Sequence, residues 1–335
     1  MRIGRFRSER SKGSAASLLT LCVALLVAGC GQGEWWESFE LEVVEATELV
    51  FEAENAAGHR VVVNSETGYI ELPFDRFVLI QFSAVLDRFD NALDKLAIEC
   101  MDDLGLEFSF GERPIRPWES NHLRRYGVFS RELAAAYGYG LTPTPELDAI
   151  QAGQAGPMSQ AIEEGLLGGA AATADGVPIP TGGCMAQAAR SLESSSVLGD
   201  PAFSLAQDIG AGTWRVALED ERVATKIREW QACMAERGIT ETGEHPIDFA
   251  ASVASSGFPA DEEIEIALID VDCKTETQLV QVWAAAEAEL QAELYLEQPD
   301  AFDAVNAGLI QLAEESAEVV GSDLPDVSLL RTGDS

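Results

Sequence analysis

Four cysteines and one basic, aromatic segment hold most of this chain's chemical capacity. Cys100, Cys184, Cys233 and Cys273 could form disulfides, ligate a metal or act as a redox pair. A metal site calls for close ligand spacing, but the chain has no C-x-x-C pair, and its histidines, His59, His122 and His245, are scattered. A reactive thiol calls for electropositive, partly exposed surroundings. These cysteines instead sit beside Glu99, Asp102, Glu236 and Asp272, which raise a thiol's pKa. An even number of cysteines in an exported chain reads as structural bridges. The second candidate is Asn121-His122-Leu123-Arg124-Arg125-Tyr126-Gly127. Two arginines, a histidine and a tyrosine there could bind an anionic or peptide ligand through bidentate contacts; Tyr137 and Tyr139, with Gly138 and Gly140, could complete a pocket or simply end a helix. The competing reading is an internal clamp, in which the arginines pair with some of the many acids and Tyr126 packs inside.

Other catalytic patterns find little footing. There is no Gly-x-Ser-x-Gly elbow, no histidine with a partner at i+4, no Walker loop and no Gly-x-Gly-x-x-Gly after a strand. The acids of Asp87–Asp94 and Asp261–Glu263 lack EF-hand ligand spacing and read as solvated helix faces. Carboxylate pairs able to cleave a glycan remain open, because any two of so many acids could meet in space. No metal or cofactor is expected.

The elements that position these residues are mostly helices. Leu49–Ala53 and Arg60–Asn64, closed by Thr67 and Gly68, read as short strands with turns. After Pro73 the period changes: Phe82, Val85, Leu86, Phe89, Leu93, Leu96, Ala97 and Cys100 fall on one helical face that stops at Gly105. Short helices are expected at Arg131–Tyr137 and Met185–Leu192, with one or two more within 141–183. Asp220–Arg237 is amphipathic through Val223, Ile227, Trp230 and Met234. Asp261 opens a helix with acids in its first turn, which suits the dipole, and the pattern runs through Cys273 to Glu297. A last helix covers Ala301–Val319.

An internal repeat links the two halves. Cys100-Met101 followed by Gly105-Leu106 matches Cys233-Met234 followed by Gly238-Ile239. Each copy ends an amphipathic helix, and each precedes one further cysteine. The economical pairing is Cys100 with Cys184 and Cys233 with Cys273, each bridge contributing roughly 3–4 kcal/mol on the chain-entropy estimate.

The first residues supply an address. Arg2, Arg5, Arg7, Arg10 and Lys12 face one acid, Glu9, and precede an apolar run from Leu18 to Ala28. That is a basic leader and short hydrophobic region, too short to span a bilayer. It ends Val27-Ala28-Gly29-Cys30, which resembles the bacterial lipobox. The resemblance implies diacylation of Cys30 and removal of residues 1–29, whereas the plainer alternative is an uncleaved signal anchor. Two acyl chains give stable anchoring where one is marginal. The expected partner is therefore the lipid bilayer, with the chain held on the extracytoplasmic face of the cell membrane.

The chain has 22 basic and 57 acidic residues. Removing the leader's five bases and one acid leaves 17 against 56. Such a charge repels nucleic acid, which needs Lys and Arg for its phosphates, and it favours solubility. A salt-adapted or GC-rich source would give the same bias.

Several motifs together resemble a group of actinobacterial exported lipoproteins of unknown function. They are Ile70–Asp75, the two Cys-Met helices, Arg125–Val128 ahead of Gly138–Gly140, Pro180–Cys184 and Ala267–Lys274. The likeness covers about residues 70–310 and implies location and a disulfide-bonded helical architecture, but no activity. The expectation is a mainly α fold with two disulfide-stapled helical halves, 41–200 and 201–320, and a small β-rich N-terminal segment. A lipidated tether, 30–40, precedes it and a polar tail, 321–335, follows. The leading functional expectation is a non-enzymatic envelope protein that binds an unknown envelope protein or ligand. A cell-wall hydrolase using carboxylates and a solute-capture lipoprotein of a transporter are the alternatives.

Overall fold

The computed structural model describes residues 42–46, 50–54, 59–77, 83–110, 124–140, 159–169, 173–174 and 176–323. Cys30, the tether, His122 and the tail beyond 323 lie outside these residues. The protein is mainly helical, with a small N-terminal sheet and two disulfides.

The sheet is an antiparallel meander of β1 (Glu42–Ala46), β2 (Val50–Glu54), β3 (Arg60–Asn64) and β4 (Tyr69–Glu71), in that spatial order. The β-branched run Val61-Val62-Val63 makes β3 the buried strand, at most 7% exposed at each valine. Asn64 turns the chain into β4, its side-chain oxygen accepting from the backbone N–H groups of Glu66 and Thr67.

Ten helices follow among the described residues. α1 (Ser83–Asp103), α2 (Arg131–Tyr137) and α3 (Gln160–Leu167) precede a two-strand ribbon, β5 (Thr173–Ala174) with β6 (Val177–Pro178). Then come α4 (Gly183–Ser191), α5 (Pro201–Val216), α6 (Glu221–Glu236), α7 (Pro246–Ser255), α8 (Ala260–Thr277), α9 (Leu279–Glu297) and α10 (Pro299–Val320).

The sequence repeat has a shared geometry. The N–H of Leu106 bonds the carbonyl of Met101 at 3.0 Å, and that of Ile239 bonds the carbonyl of Met234 at 2.9 Å. Gly105 and Gly238 take positive φ between them. Both copies therefore close their helix with the six-to-one bond of a Schellman cap, in which a left-handed glycine avoids the Cβ clash.

Each cap stands one turn beyond a disulfide. Cys100–Cys184 joins α1 to α4 with Cα atoms 5.6 Å apart, and Cys233–Cys273 joins α6 to α8 at 5.7 Å. The pairing expected from the repeat is the one observed.

Four features depart from the sequence expectations. Asp87 and Asp94, expected on a solvated helix face, are each only 7% exposed. The pattern from Asp261 to Glu297 is two helices, because Gln278 adopts the left-handed conformation at φ 56. That conformation costs roughly 1–2 kcal/mol for a residue with a Cβ. The break aims Leu279, Val280 and Trp283 into the core, where each is at most 2% exposed. α5 and α7 were not anticipated. Their start signals are Asp200-Pro201 and His245-Pro246, each a capping side chain followed by proline at the first helical position.

Three apolar clusters hold these elements. The largest packs β2 and β3 with α2 and α6–α9. A second joins Phe74, Phe77 and α1 to α10. The third lies under the first disulfide, between α1, α3 and α4. The first two draw on both sequence halves. All the described residues belong to a single compact unit.

The bridges close stretches of 84 and 40 residues. Replacing Cys100 and Cys184 together by alanine should lower stability by about 4–5 kcal/mol, and the same change at Cys233 and Cys273 by about 4 kcal/mol. Denaturant titration of the two double variants measures this. Indifference of either to the loss of its bridge would show that the bridge is not structural.

Candidate functional site

The segment Arg124–Val128 runs between α8 and α9, and each of its residues contacts something inside the fold. Arg125 reaches α9, where its Nε donates to Glu287 Oε2 at 3.0 Å and its Nη2 donates to Glu287 Oε1 and to the carbonyl of Gly210. The Tyr126 hydroxyl donates to Glu287 Oε2 at 2.6 Å. Thr213 Oγ1 lies 2.5 Å from Glu287 Oε1, and Gln291 Nε2 donates to both at 2.8 and 3.2 Å. Gln291 Oε1 in turn accepts from the backbone of Phe74.

Glu287 has no solvent exposure and Tyr126 has none. A buried carboxylate is tolerable only when paired and hydrogen-bonded, and this one has both a guanidinium and hydroxyl donors. Burial opposes the charge on Arg125, but Glu287 outweighs it and holds the guanidinium pKa above its usual value. Burial and the same carboxylate push the Tyr126 phenol up.

A second network lies one residue further along. Asp270 and Lys274 are one turn apart on α8, 0% and 1% exposed, with Nζ donating to Oδ2 at 2.8 Å. The amine also donates to the carbonyl of Val128 at 2.7 Å. Tyr139 Oη donates to Asp270 Oδ2 at 3.1 Å and Trp230 Nε1 to Oδ1 at 2.9 Å. Gly127 is required beside it: its φ is +78°, and a Cβ there would stand 2.8 Å from Lys274 Nζ. Burial raises the Asp270 carboxyl pKa and lowers that of the Lys274 amine, each resisted by the other's charge.

Of the predicted ligand-binding residues, the described Arg124, Arg125, Tyr126 and Tyr139 are brought together, but around internal partners. Arg125, Tyr126 and Tyr139 place their polar atoms on Glu287 and Asp270. Arg124, partly exposed, donates to the carbonyls of Gly138 and Gly140. This arrangement is the internal clamp. The residues that complete it, Asp270, Lys274, Glu287 and Gln291, were not singled out from sequence. No local signal sets them apart, because α8 and α9 carry other acids at exposed positions as well.

Two histidines are also placed. His245 Nδ1 accepts from the N–H of Asp248, capping α7, while Nε2 lies 3.3 Å from its carboxylate. His59 is 4% exposed with its ring edge against Tyr295. Burial, and then the charge of Arg76, push its pKa down to about 4. Among the described residues no cluster of three or more His, Cys, Asp or Glu could hold a metal ion. An open polar groove of about 370 Å³ lies between the turn at 193–200 and α10, lined by Glu193, Ser194, Ser196, Asp200 and Gln311.

No family model, no curated protein and no solved structure matches this chain.

Removing one member of a buried ion pair strands the other. Lys274→Met should cost about 3–5 kcal/mol. Asp270→Asn added to it should recover part of that, since Trp230 keeps an acceptor and no charge remains. Thermal and denaturant unfolding of both variants tests this, and a single variant within about 1 kcal/mol of the parent would contradict it.

His59 sets a pH window. Its folded pKa lies below the unfolded value, so the unfolded chain binds more protons between pH 6.5 and 4. Stability should fall as pH drops through that window, by about 3 kcal/mol in full. His59→Phe should flatten this part of the profile. An unchanged slope would remove His59 from the account.

Proposed function

We propose that this is a lipid-anchored protein of the extracytoplasmic membrane face that binds a protein partner through its surface, without catalysis. The single observation that carries the reading is the pair of disulfides, Cys100–Cys184 and Cys233–Cys273. Such bridges persist in oxidising compartments and are rare in cytosolic proteins. They agree with the basic leader and with the small residues before Cys30. Among the described residues no helix is long and apolar enough to cross a membrane, and on this reading Cys30 would supply the attachment.

Partner binding through a surface is supported by where the chain's chemistry goes. The guanidinium and the phenols that could have recognised a small ligand are engaged by Glu287 and Asp270. Many acidic side chains face outward.

Intact mass of the protein from membranes, before and after reduction and alkylation, tests the reading. The expected result is a chain beginning at a diacylated Cys30, with four thiols that appear only after reduction. An uncleaved or unlipidated chain with free thiols would place it in another compartment and overturn the proposal.

A further inference from the structure

We infer that Asp270 and Lys274 condense into an intramolecular isopeptide bond across one turn of α8, with Trp230 and Tyr139 holding the two carboxyl oxygens. This goes beyond the partner-binding reading and does not depend on it.

The two side chains meet in the geometry that condensation needs. They stand at i and i+4, the spacing that brings side chains together on one helix face. Asp270 is 0% and Lys274 1% exposed, and Nζ lies 2.8 Å from Oδ2. Fixed proximity of this kind raises the effective concentration to about 10⁵–10⁸ M in well-oriented intramolecular reactions. The carbonyl of Val128 also holds the amine, at 2.7 Å. Gly127 leaves it room, since a Cβ there would stand 2.8 Å from Nζ.

Burial favours the product. Desolvation raises the Asp270 carboxyl pKa and lowers that of the Lys274 amine, which drives the ion pair towards neutral acid and free amine. An amide removes both charges from the interior. The other buried pair among the described residues, Arg125 with Glu287, has no such route, because a guanidinium stays protonated and offers no nucleophile.

The two carboxyl oxygens have different donors. Trp230 Nε1 donates to Oδ1 at 2.9 Å, and Tyr139 Oη donates to Oδ2 at 3.1 Å. Both rings are buried. The Nζ–Oδ2 hydrogen bond first carries a proton from the ammonium to Oδ2. The freed amine attacks Cγ, and negative charge gathers on Oδ1, where the indole N–H stabilises it. The Cγ–Oδ2 bond then breaks. Oδ2 leaves as water with two protons, the acid's own and one from the Tyr139 hydroxyl, which regains a proton from the nitrogen. Acid and amine become amide and water, and nothing is oxidised or reduced. The amide keeps one N–H for the carbonyl of Val128 and one oxygen for Trp230.

The test is a tryptic digest of the protein purified from its source cells, after unfolding, reduction and alkylation. Trypsin cleaves after a free lysine. The chain has no Lys or Arg between Arg237 and Lys274, nor between Lys274 and Arg331. We expect one peptide spanning 238–331, uncut at Lys274 and lighter than its sequence by the mass of one water. Fragment ions should place the loss across Asp270 and Lys274. Cleavage after Lys274 with no mass loss would overturn the inference. So would a loss of water with Lys274 still cleaved, which marks an aspartyl succinimide.

A second measurement tests the proton route. The full chain is made cell-free under oxidising conditions, and its mass is followed as it folds. Tyr139→Phe should slow the loss of water about a hundredfold or more, while both disulfides still form. An equal rate in a folded, bridged Tyr139→Phe chain would overturn the role given to Tyr139. The digest needs no variant, so it stands even if that substitution impairs folding.

Discussion

A carboxylate with no solvent exposure in the middle of a helix is the constraint around which this fold is arranged. α9 is buried at Leu279, Val280, Trp283, Ala284, Ala286, Ala288 and Ala292, yet the same helix carries Glu287 and Gln291, both fully buried. Desolvating such groups is tolerable only if the surrounding chain brings donors to them. Arg125 and Tyr126 arrive from a segment more than 150 residues earlier, Thr213 from α5, and Phe74 from the end of the sheet region. Glu287 and Gln291 together thus fix the placement of α9 relative to three other stretches of chain. Apolar packing alone is less directional, because volume can be filled in several ways.

Asp270 and Lys274 repeat the device on α8 and engage the neighbouring residue of the same segment. Arg124–Val128 is held from two sides, which explains why an arginine pair, a tyrosine and a glycine occur together in an acidic chain. Buried ion pairs add little net stability, because desolvation offsets attraction. Their effect here is on specificity of arrangement: an alternative packing of α8 or α9 would strand a charge. The disulfides act differently. Each restrains the unfolded chain and fastens two helices, with a Schellman cap fixing the helix end one turn beyond the first cysteine of each bridge.

The polar ends of Arg125, Tyr126, Tyr139 and Lys274 are turned inward. The chain is strongly acidic, and the groove beside α10 is open and lined largely by polar residues.

The helical class, the strands at β2 and β3, the limits of α1, α2 and α6, and both disulfide pairings were legible in the chain. Periodicity, capping glycine and repeated Cys-Met spacing are local or self-similar signals, and they survive without knowledge of what packs where. α5 and α7 were missed although Asp200-Pro201 and His245-Pro246 mark their starts, because their apolar stripes are short. The break at Gln278 was hidden because nothing local forbids the helix from continuing. The burial of Leu279, Val280 and Trp283 accompanies the break, and that burial depends on distant elements. The same holds for the clamp. The residue types around Arg125 and Tyr126 stand out in the chain, but whether they face a ligand or the core depends on which helix crosses them. Only the tertiary structure places Glu287 and Asp270 there, because hydrogen-bond partners of buried charges are chosen by long-range packing and leave no local trace.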